Sequence, residues 1–352
     1  MAKTFAALVN EIQSDLGDDT TTYTDAKVTI QLEKALKKVS EHLPYVRKVS
    51  YFIESRTGTA TTDTADALVD TTENQFLTTD ADKVIHNTQN NTWAVVSDAQ
   101  YAVSDDKLVL SKDIMVDGDE KYEMYNEGCT SKYQINIEDV TDWVGSAKHG
   151  IIAVEYPIGT KRNFIIDGDI LTILVDSVSD SKVADPATDT EVLVWFETRQ
   201  RVSQLVDLAG TVNGTVLAGA TTFTIAAVGS GSEVIAEDTL FTFYLFTVRG
   251  TYKIKYDLTL SGGGGTIVFW PGLESAPANG AIVVFIGSTL NSVQERLVVE
   301  LAAAYCGLAL QADAISKGGQ AVYNRYLEKR EKAIAELRSL QKPRTKHSYP
   351  RD

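Results

Sequence analysis

In the segment SVQERLVVELAAAYCGLAL (residues 292–310), Leu297, Val298, Leu301, Ala304, Tyr305, Leu308 and Ala309 recur three and four residues apart, the signature of one apolar helix face. Ser292 followed by Glu295 is a capping box and predicts the helix start. Gly318–Gly319 predicts a break. A second helix then runs from Gln320 to Gln341, with Tyr323, Tyr326, Leu327, Ile334, Leu337 and Leu340 as its apolar residues, and Pro343 closes it.

The opposite end reads the same way. TFAALVNEIQSDL (4–16) places Phe5, Leu8, Val9, Ile12 and Leu16 on one stripe, and Gly17 ends it. Thr24 is positioned to cap a second helix with Asp25 in its first turn. Leu32, Leu36, Val39 and Leu43 form its buried edge, and Pro44 stops it. Short helices need tertiary partners to persist, and neither end is large enough to fold alone. Together they predict one four-helix bundle.

Between them, residues 50–290 read as β throughout. Short runs such as WAVVSD, EVLVWF, YKIKYD and AIVVFI are bounded by Asp, Gly, Asn and Ser turns. The expected fold class is therefore α+β: a four-helix bundle from the N- and C-terminal segments, interrupted by a long antiparallel β-sandwich or barrel-like insertion. Its divisions are 1–49 for the N-terminal helices, 50–210 and 211–290 for the two parts of the insertion, 291–341 for the C-terminal helices, and 342–352 for an extended tail. A weak repeat lies inside the insertion. Trp93-Ala-Val-Val is followed 15 residues later by Leu108-Val-Leu, then Gly118 and YEMY, while Tyr252-Lys-Ile-Lys is followed 15 residues later by Ile267-Val-Phe, then Gly280 and AIVVF. The spacing suggests two copies of one small β-unit.

The 352 residues carry a formal net charge of −15, which argues against sequence-reading DNA binding. No run approaches the length of a membrane span, and MAKTFAALVNEIQSDLG does not read as a secretory signal. Cys129 and Cys306 form neither a disulfide framework nor a metal motif, which fits a reducing cytosol. His42, His86, His149 and His347 share no metal-ligand spacing, and no nucleophile elbow occurs. The run SGGGG (261–265) lacks the Lys and following helix of a phosphate loop and reads as a hairpin turn. DGDE (117–120) and DGD (167–169) lack the remaining ligands of a calcium loop and read as turns. Trp93, Trp143, Trp195 and Trp270 read as sheet or core anchors. No enzyme, cofactor or metal site is expected.

Charge is unevenly spread. Residues 54–199 contain 28 Asp/Glu and 11 Lys/Arg, a net −17, whereas residues 291–352 contain 7 Asp/Glu and 11 Lys/Arg, a net +4. The pattern suggests an acidic body and a basic terminal peptide that docks on an acidic partner.

FAALVNEIQSDLGDDTTTYTDAKVTIQLEKALKKVSEHLPYV, together with VQERLVVELAAAYCGLALQADAI and the basic, tyrosine-bearing RTKHSYPRD, resembles the two ends of head–tail connector (adaptor) proteins of tailed bacteriophages. KVIHNTQNNTWAVVSD and TVNGTVLAGATTFTI resemble β-modules inserted in phage neck proteins. The resemblance implies a structural subunit of the virion neck, made in the host cytoplasm. It implies a homo-oligomeric ring, dodecameric in that family, which joins the portal protein to tail or further neck proteins and passes DNA without reading it. It also implies a tail that docks on the portal through Lys342, Arg344, Lys346, Tyr349 and Arg351. The alternative is a β-rich, tail-associated receptor- or glycan-binding module.

Overall fold

The computed structural model describes every residue except 1–2, 18–19, 78, 98–105, 146–149, 176–189, 203–207, 230, 232–233, 238, 312–319 and 342–352. Helix α1 (Phe5–Asp15) begins where Thr4 Oγ1 accepts from Ala7 N (3.1 Å). Helix α2 (Asp25–His42) has extended Thr24 before it, but that side chain makes no capping bond. Helix α3 (Ser292–Gln311) is capped one residue earlier than the Ser292/Glu295 pattern predicts. Asn291 Oδ1 accepts from Val293 N and Gln294 N, while Gln294 Oε1 accepts from Asn291 N at 2.9 Å, a reciprocal box. Glu295 instead accepts from Lys3 N (3.1 Å). Helix α4 (Gln320–Leu340) follows; the Gly318–Gly319 break lies outside the described residues.

These helices share one core, containing Leu8, Ile12, Leu32, Leu297, Leu301 and Leu337. Helices α3 and α4 pack tightly at Gly307, where a Cβ would stand 2.5 Å from the Tyr326 ring. Even so, the expected four-helix bundle with a single sandwich- or barrel-like insertion is not the architecture. The four helices make up only 24% of the described residues of a strand-rich chain, whose strands form several small sheets and a closed six-stranded barrel. The physical reason is strand length. Runs of two to eight residues cannot extend one sheet across this region, so they close over three separate apolar cores besides the helical one.

Strand β1 (Tyr45–Phe52) leaves α2 and leads into a first β-unit. That unit comprises β2 (Thr57–Thr59), β3 (Ala67–Val69), β4 (Val84–Asn87), β5 (Thr92–Val95), β6 (Lys107–Val109) and β7 (Lys121–Tyr125). One sheet runs β2-β7-β4-β5, with the pair β3-β6 beside it. A middle unit follows: β8 (Gln134–Asn136), β9 (Ile151–Glu155), β10 (Lys161–Arg162), β11 (Phe164–Asp167), β12 (Ile170–Ile173) and β13 (Glu191–Thr198). Its sheets β1-β13-β9-β10 and β11-β12-β8 enclose a core with Val49, Tyr51, Ile135, Leu171 and Phe196.

The last unit holds β14 (Ala209–Asn213), β15 (Thr222–Ala226), β16 (Val234–Ile235), β17 (Leu240–Phe243), β18 (Tyr252–Ile254), β19 (Leu258–Thr259), β20 (Gly265–Trp270) and β21 (Ile282–Ile286). Its barrel closes in the order β14-β15-β20-β18-β17-β21, with β16-β19 as a separate ribbon. Phe223, Phe241, Phe243, Tyr252 and Phe269 fill it, largely edge to face.

The two β-units use one pairing scheme. β2-β7, β7-β4, β4-β5 and β3-β6 correspond to β14-β21, β21-β17, β17-β18 and β15-β20. The registers match residue by residue: Thr59↔Lys121 with Thr211↔Ile282, Ile85↔Met124 with Phe241↔Phe285, and Leu68↔Leu108 with Phe223↔Ile267. The bridge Val96↔Leu110 takes the place of the pair Ile254↔Phe269. Gly58 and Gly210 fall at the same position. In both, a Cβ would strike packed side chains, at 2.4 Å (Tyr122) and 2.5 Å (Val228).

Candidate functional site

The docking residues predicted from sequence, Lys342, Arg344, Lys346, Tyr349 and Arg351, lie outside the described residues. The helix that leads to them is described. Only Ala333 and Leu337 of α4 are buried, and Arg325, Lys332 and Arg338 are exposed. At its end His42 Nδ1 lies 3.2 Å from Gln341 Oε1, which places Gln341 beside the end of α2.

One residue joins three parts of the molecule. Gln200 N donates to Ser40 Oγ on α2 (2.9 Å), its Nε2 donates to Leu43 O (2.7 Å), and its Oε1 accepts from Thr289 Oγ1 (2.6 Å) just before α3. Close by, the fully buried Arg47 lies between the rings of Phe196 (5.9 Å) and Trp270 (5.4 Å), and 3.8 Å from Asp142 Oδ1. Arg201 holds the other oxygen of Asp142 at 3.0 Å. Burial lowers the Arg47 pKa, with Asp142 opposing, and burial raises the Tyr51 hydroxyl well above its usual range. This joint locks barrel, middle sheets and helices together and offers no reacting group to solvent.

A second buried ionic cluster lies at the entrance to the first β-unit. Arg56 pairs with Glu54 (2.7 Å) and Asp80, and Lys83 pairs with both acids. No motif spacing announces it, because the connection between β1 and β2 and the loop before β4 supply its members. Burial alone would raise the Glu54 carboxyl; hydrogen bonds and charge from Arg56 and Lys83 outweigh it and hold Glu54 at about 2.

The remaining sequence candidates fall as follows. In SGGGG, Ser261 N donates to Gly264 O (3.0 Å), a tight turn in which Gly262 and Gly263 have φ of +60° and +76°. Asp117, Asp119, Asp167 and Asp169 are exposed at turns, and among the described residues no group of three or more His, Cys, Asp or Glu is placed to hold a metal. His149 and His347 lie outside the described residues. His86 stacks on Trp93 across β4 and β5, with ring centroids 3.8 Å apart and planes 12° apart, and Tyr125 continues the stack at 5.8 Å from Trp93. Trp143 packs edge-on against Phe196, Lys48 lies over Trp195, and Trp270 is buried. No described helix is long and apolar enough to cross a membrane. No protein-family model matches the chain, and no curated protein matches its sequence.

Proposed function

We propose that the chain is a structural subunit of a bacteriophage neck, one copy of a homo-oligomeric, dodecameric ring that joins the portal to the tail and lets DNA pass. The observation that carries this reading is the charge polarity of the fold. The net −17 of residues 54–199 belongs to the two sheet-built units, while α3, α4 and the segment after them carry the net +4. An acidic wall does not bind passing phosphates. A basic segment leaving the end of α4, with Lys342, Arg344, Lys346, Tyr349 and Arg351, suits an acidic socket on the portal by charge and aromatic burial. The likeness of both ends of the sequence to connector proteins supplies the class. The reading assigns the chain no reaction.

The test is negative-stain microscopy of the purified chain alone and with portal rings, beside a variant ending at residue 341. Rings on the portal, lost in the shortened variant while its far-UV spectrum is kept, are expected. A full-length chain that stays single in both settings and does not co-sediment with the portal would sink the reading. The half-exposed stack of His86 and Trp93 favours the second reading, a glycan-binding module, since an aromatic plane of this kind can take a sugar face. Saccharide binding lost in Trp93→Ala would favour it.

A further inference from the structure

The two β-units provide an internal comparison: one scaffold, two surfaces. In the barrel, the connections after β14, β17 and β20 all emerge at one end, because neighbouring strands alternate in direction. Leu245 (77% exposed) and Leu217 (70%) are the two most exposed large hydrophobic residues described, and both lie in these connections. Tyr244 (54%) lies one step beyond the Phe243↔Val283 pair and therefore level with Ile282 (43%) on the adjacent β21, and β21 in turn adjoins β14. Tyr244, Leu245 and Ile282 are thus neighbours on adjoining strands, and Leu217 lies in the connection that follows the next strand, β14.

This end also carries little charge: its connection after β14 has none, and those after β17 and β20 have one each, Arg249 and Glu274. Residues 208–232, 239–248 and 275–294 contain no Asp, Glu, Lys or Arg, in a chain that is 23% charged. Arg249 and Glu274 pair with each other at 3.1 Å, and Arg249 also pairs with Glu191 at 3.2 Å. The connections are held in place: Gly219 N donates to Leu273 O (2.7 Å), Leu273 N to Ala220 O (3.0 Å), and Gly214 N to Asn279 Oδ1 (3.0 Å). Leu245 is held in the left-handed region at φ +55°, a conformation that costs a leucine energy and leaves most of its surface exposed.

The scaffold does not require any of this. Register equivalence puts Lys121 of the first unit where the barrel has Ile282, Thr88 where it has Tyr244, and Gln89 where it has Leu245. The first unit's connections at this end carry exposed Asp63, Asp66, Asp113, Asp117 and Asp119. The same fold therefore keeps a polar rim with net acidic charge in one copy and an apolar rim with a single ion pair in the other. Contiguous exposed apolar surface of this kind marks a contact site.

We infer that the barrel rim formed by Leu217, Tyr244, Leu245 and Ile282 is a self-association face that pairs with the same rim of a second copy across a two-fold axis. Charge selects the occupant. Each copy carries −15, so copies repel except where charge is absent, and an uncharged apolar patch is complementary to itself. The one cation at this end, Arg249, is already paired with Glu274 and Glu191, so an acidic body offers little there to hold it to an anionic bilayer. The inference does not depend on the ring reading.

The test uses the full chain and the variant Tyr244→Thr/Leu245→Gln/Ile282→Lys, which installs the residues the first unit already carries. Sedimentation velocity of the wild type up to about 100 μM should show a two-copy species, or paired rings where rings form, that persists in about 1 M salt. The triple variant should associate about tenfold more weakly or less, with an unchanged far-UV spectrum. If the triple variant misfolds, Leu245→Gln alone serves, at an exposed site. A wild type that stays single throughout overturns the inference. So does pairing unchanged in the variant, or rim-dependent flotation on neutral phosphatidylcholine vesicles without self-association. Rings that stay unpaired in wild type and variant overturn it while leaving the ring reading intact.

Discussion

Replacing Gly58 by alanine tests whether the first β-unit is packed as described. The new methyl would stand 2.4 Å from Tyr122 Oη and 2.5 Å from Asp70 Oδ2, so one partner must move. Those atoms form a buried hydrogen bond: Tyr122 donates to Asp70 at 2.7 Å and accepts from Gln75 Nε2 at 2.8 Å. Breaking a hydrogen bond to a buried carboxylate costs about 1.5–3 kcal/mol, and overpacking adds about 1–3 kcal/mol. Loss of glycine's freedom in the unfolded chain returns about 0.4–1 kcal/mol. The net cost is about 3 kcal/mol. Hydrogen-exchange mass spectrometry reads it locally, which matters because a chain of several units need not unfold in one step. Amides of β4 and β7 should exchange roughly a hundredfold faster in Gly58→Ala. Tyr122→Phe removes the clashing oxygen, so the double variant should fall short of additivity by about 1 kcal/mol. Exchange in Gly58→Ala within about threefold of wild type, or strict additivity with Tyr122→Phe, would refute the packing argument.

Two further outcomes follow from buried titratable groups. The folded Glu54 carboxyl sits at about 2, against 4.5 for the free group, so its contribution is complete above pH 4.5 and is lost as pH falls toward 2. That contribution is about 3 kcal/mol. Acid melts of wild type and Glu54→Gln should converge on the acid side of that window; parallel curves would remove Glu54 as the source. Burial pushes the Cys129 thiol up to about 12, with Glu127 adding to it, and burial pushes Cys306 up to about 11. Iodoacetamide near neutral pH should leave both unlabelled in the native chain and label both in urea; rapid native labelling of either would contradict its burial.

The helices were legible because their information is local. Leu297, Leu301 and Leu308 repeat within one element, and Gly17 and Pro44 end their helices beside the last turn. The cap of α3 was misplaced by one residue, since Ser292-Glu295 and Asn291-Gln294 satisfy the same pattern and only geometry separates them. Strands were legible as strands, but their division into sheets was not. β1 pairs with β13 about 140 residues away, and no periodicity within either names the other. The repeat was faint because the two units share register rather than residues: Lys121 and Ile282, or Ala94 and Tyr252, occupy like positions with unlike side chains. The apolar rim left a trace in the uncharged stretch 208–232, which reads as strand-and-turn composition until the strands are set around a barrel. The ionic cluster of Glu54, Arg56, Asp80 and Lys83 left none.

The ladder between β1 and β13 has a mechanical consequence. β1 is the continuous link from α2 to the first β-unit, entering at Tyr45 and leaving at Phe52. It is registered against β13 from Tyr45↔Thr198 to Phe52↔Glu191, eight pairs in all. Tension between the helices and the first unit therefore runs along the strand axis. The eight pairs lie across that axis and are not loaded by it; they keep the link straight and extended. β1 therefore acts as a strut of fixed length between α2 and the first unit, not as a flexible linker.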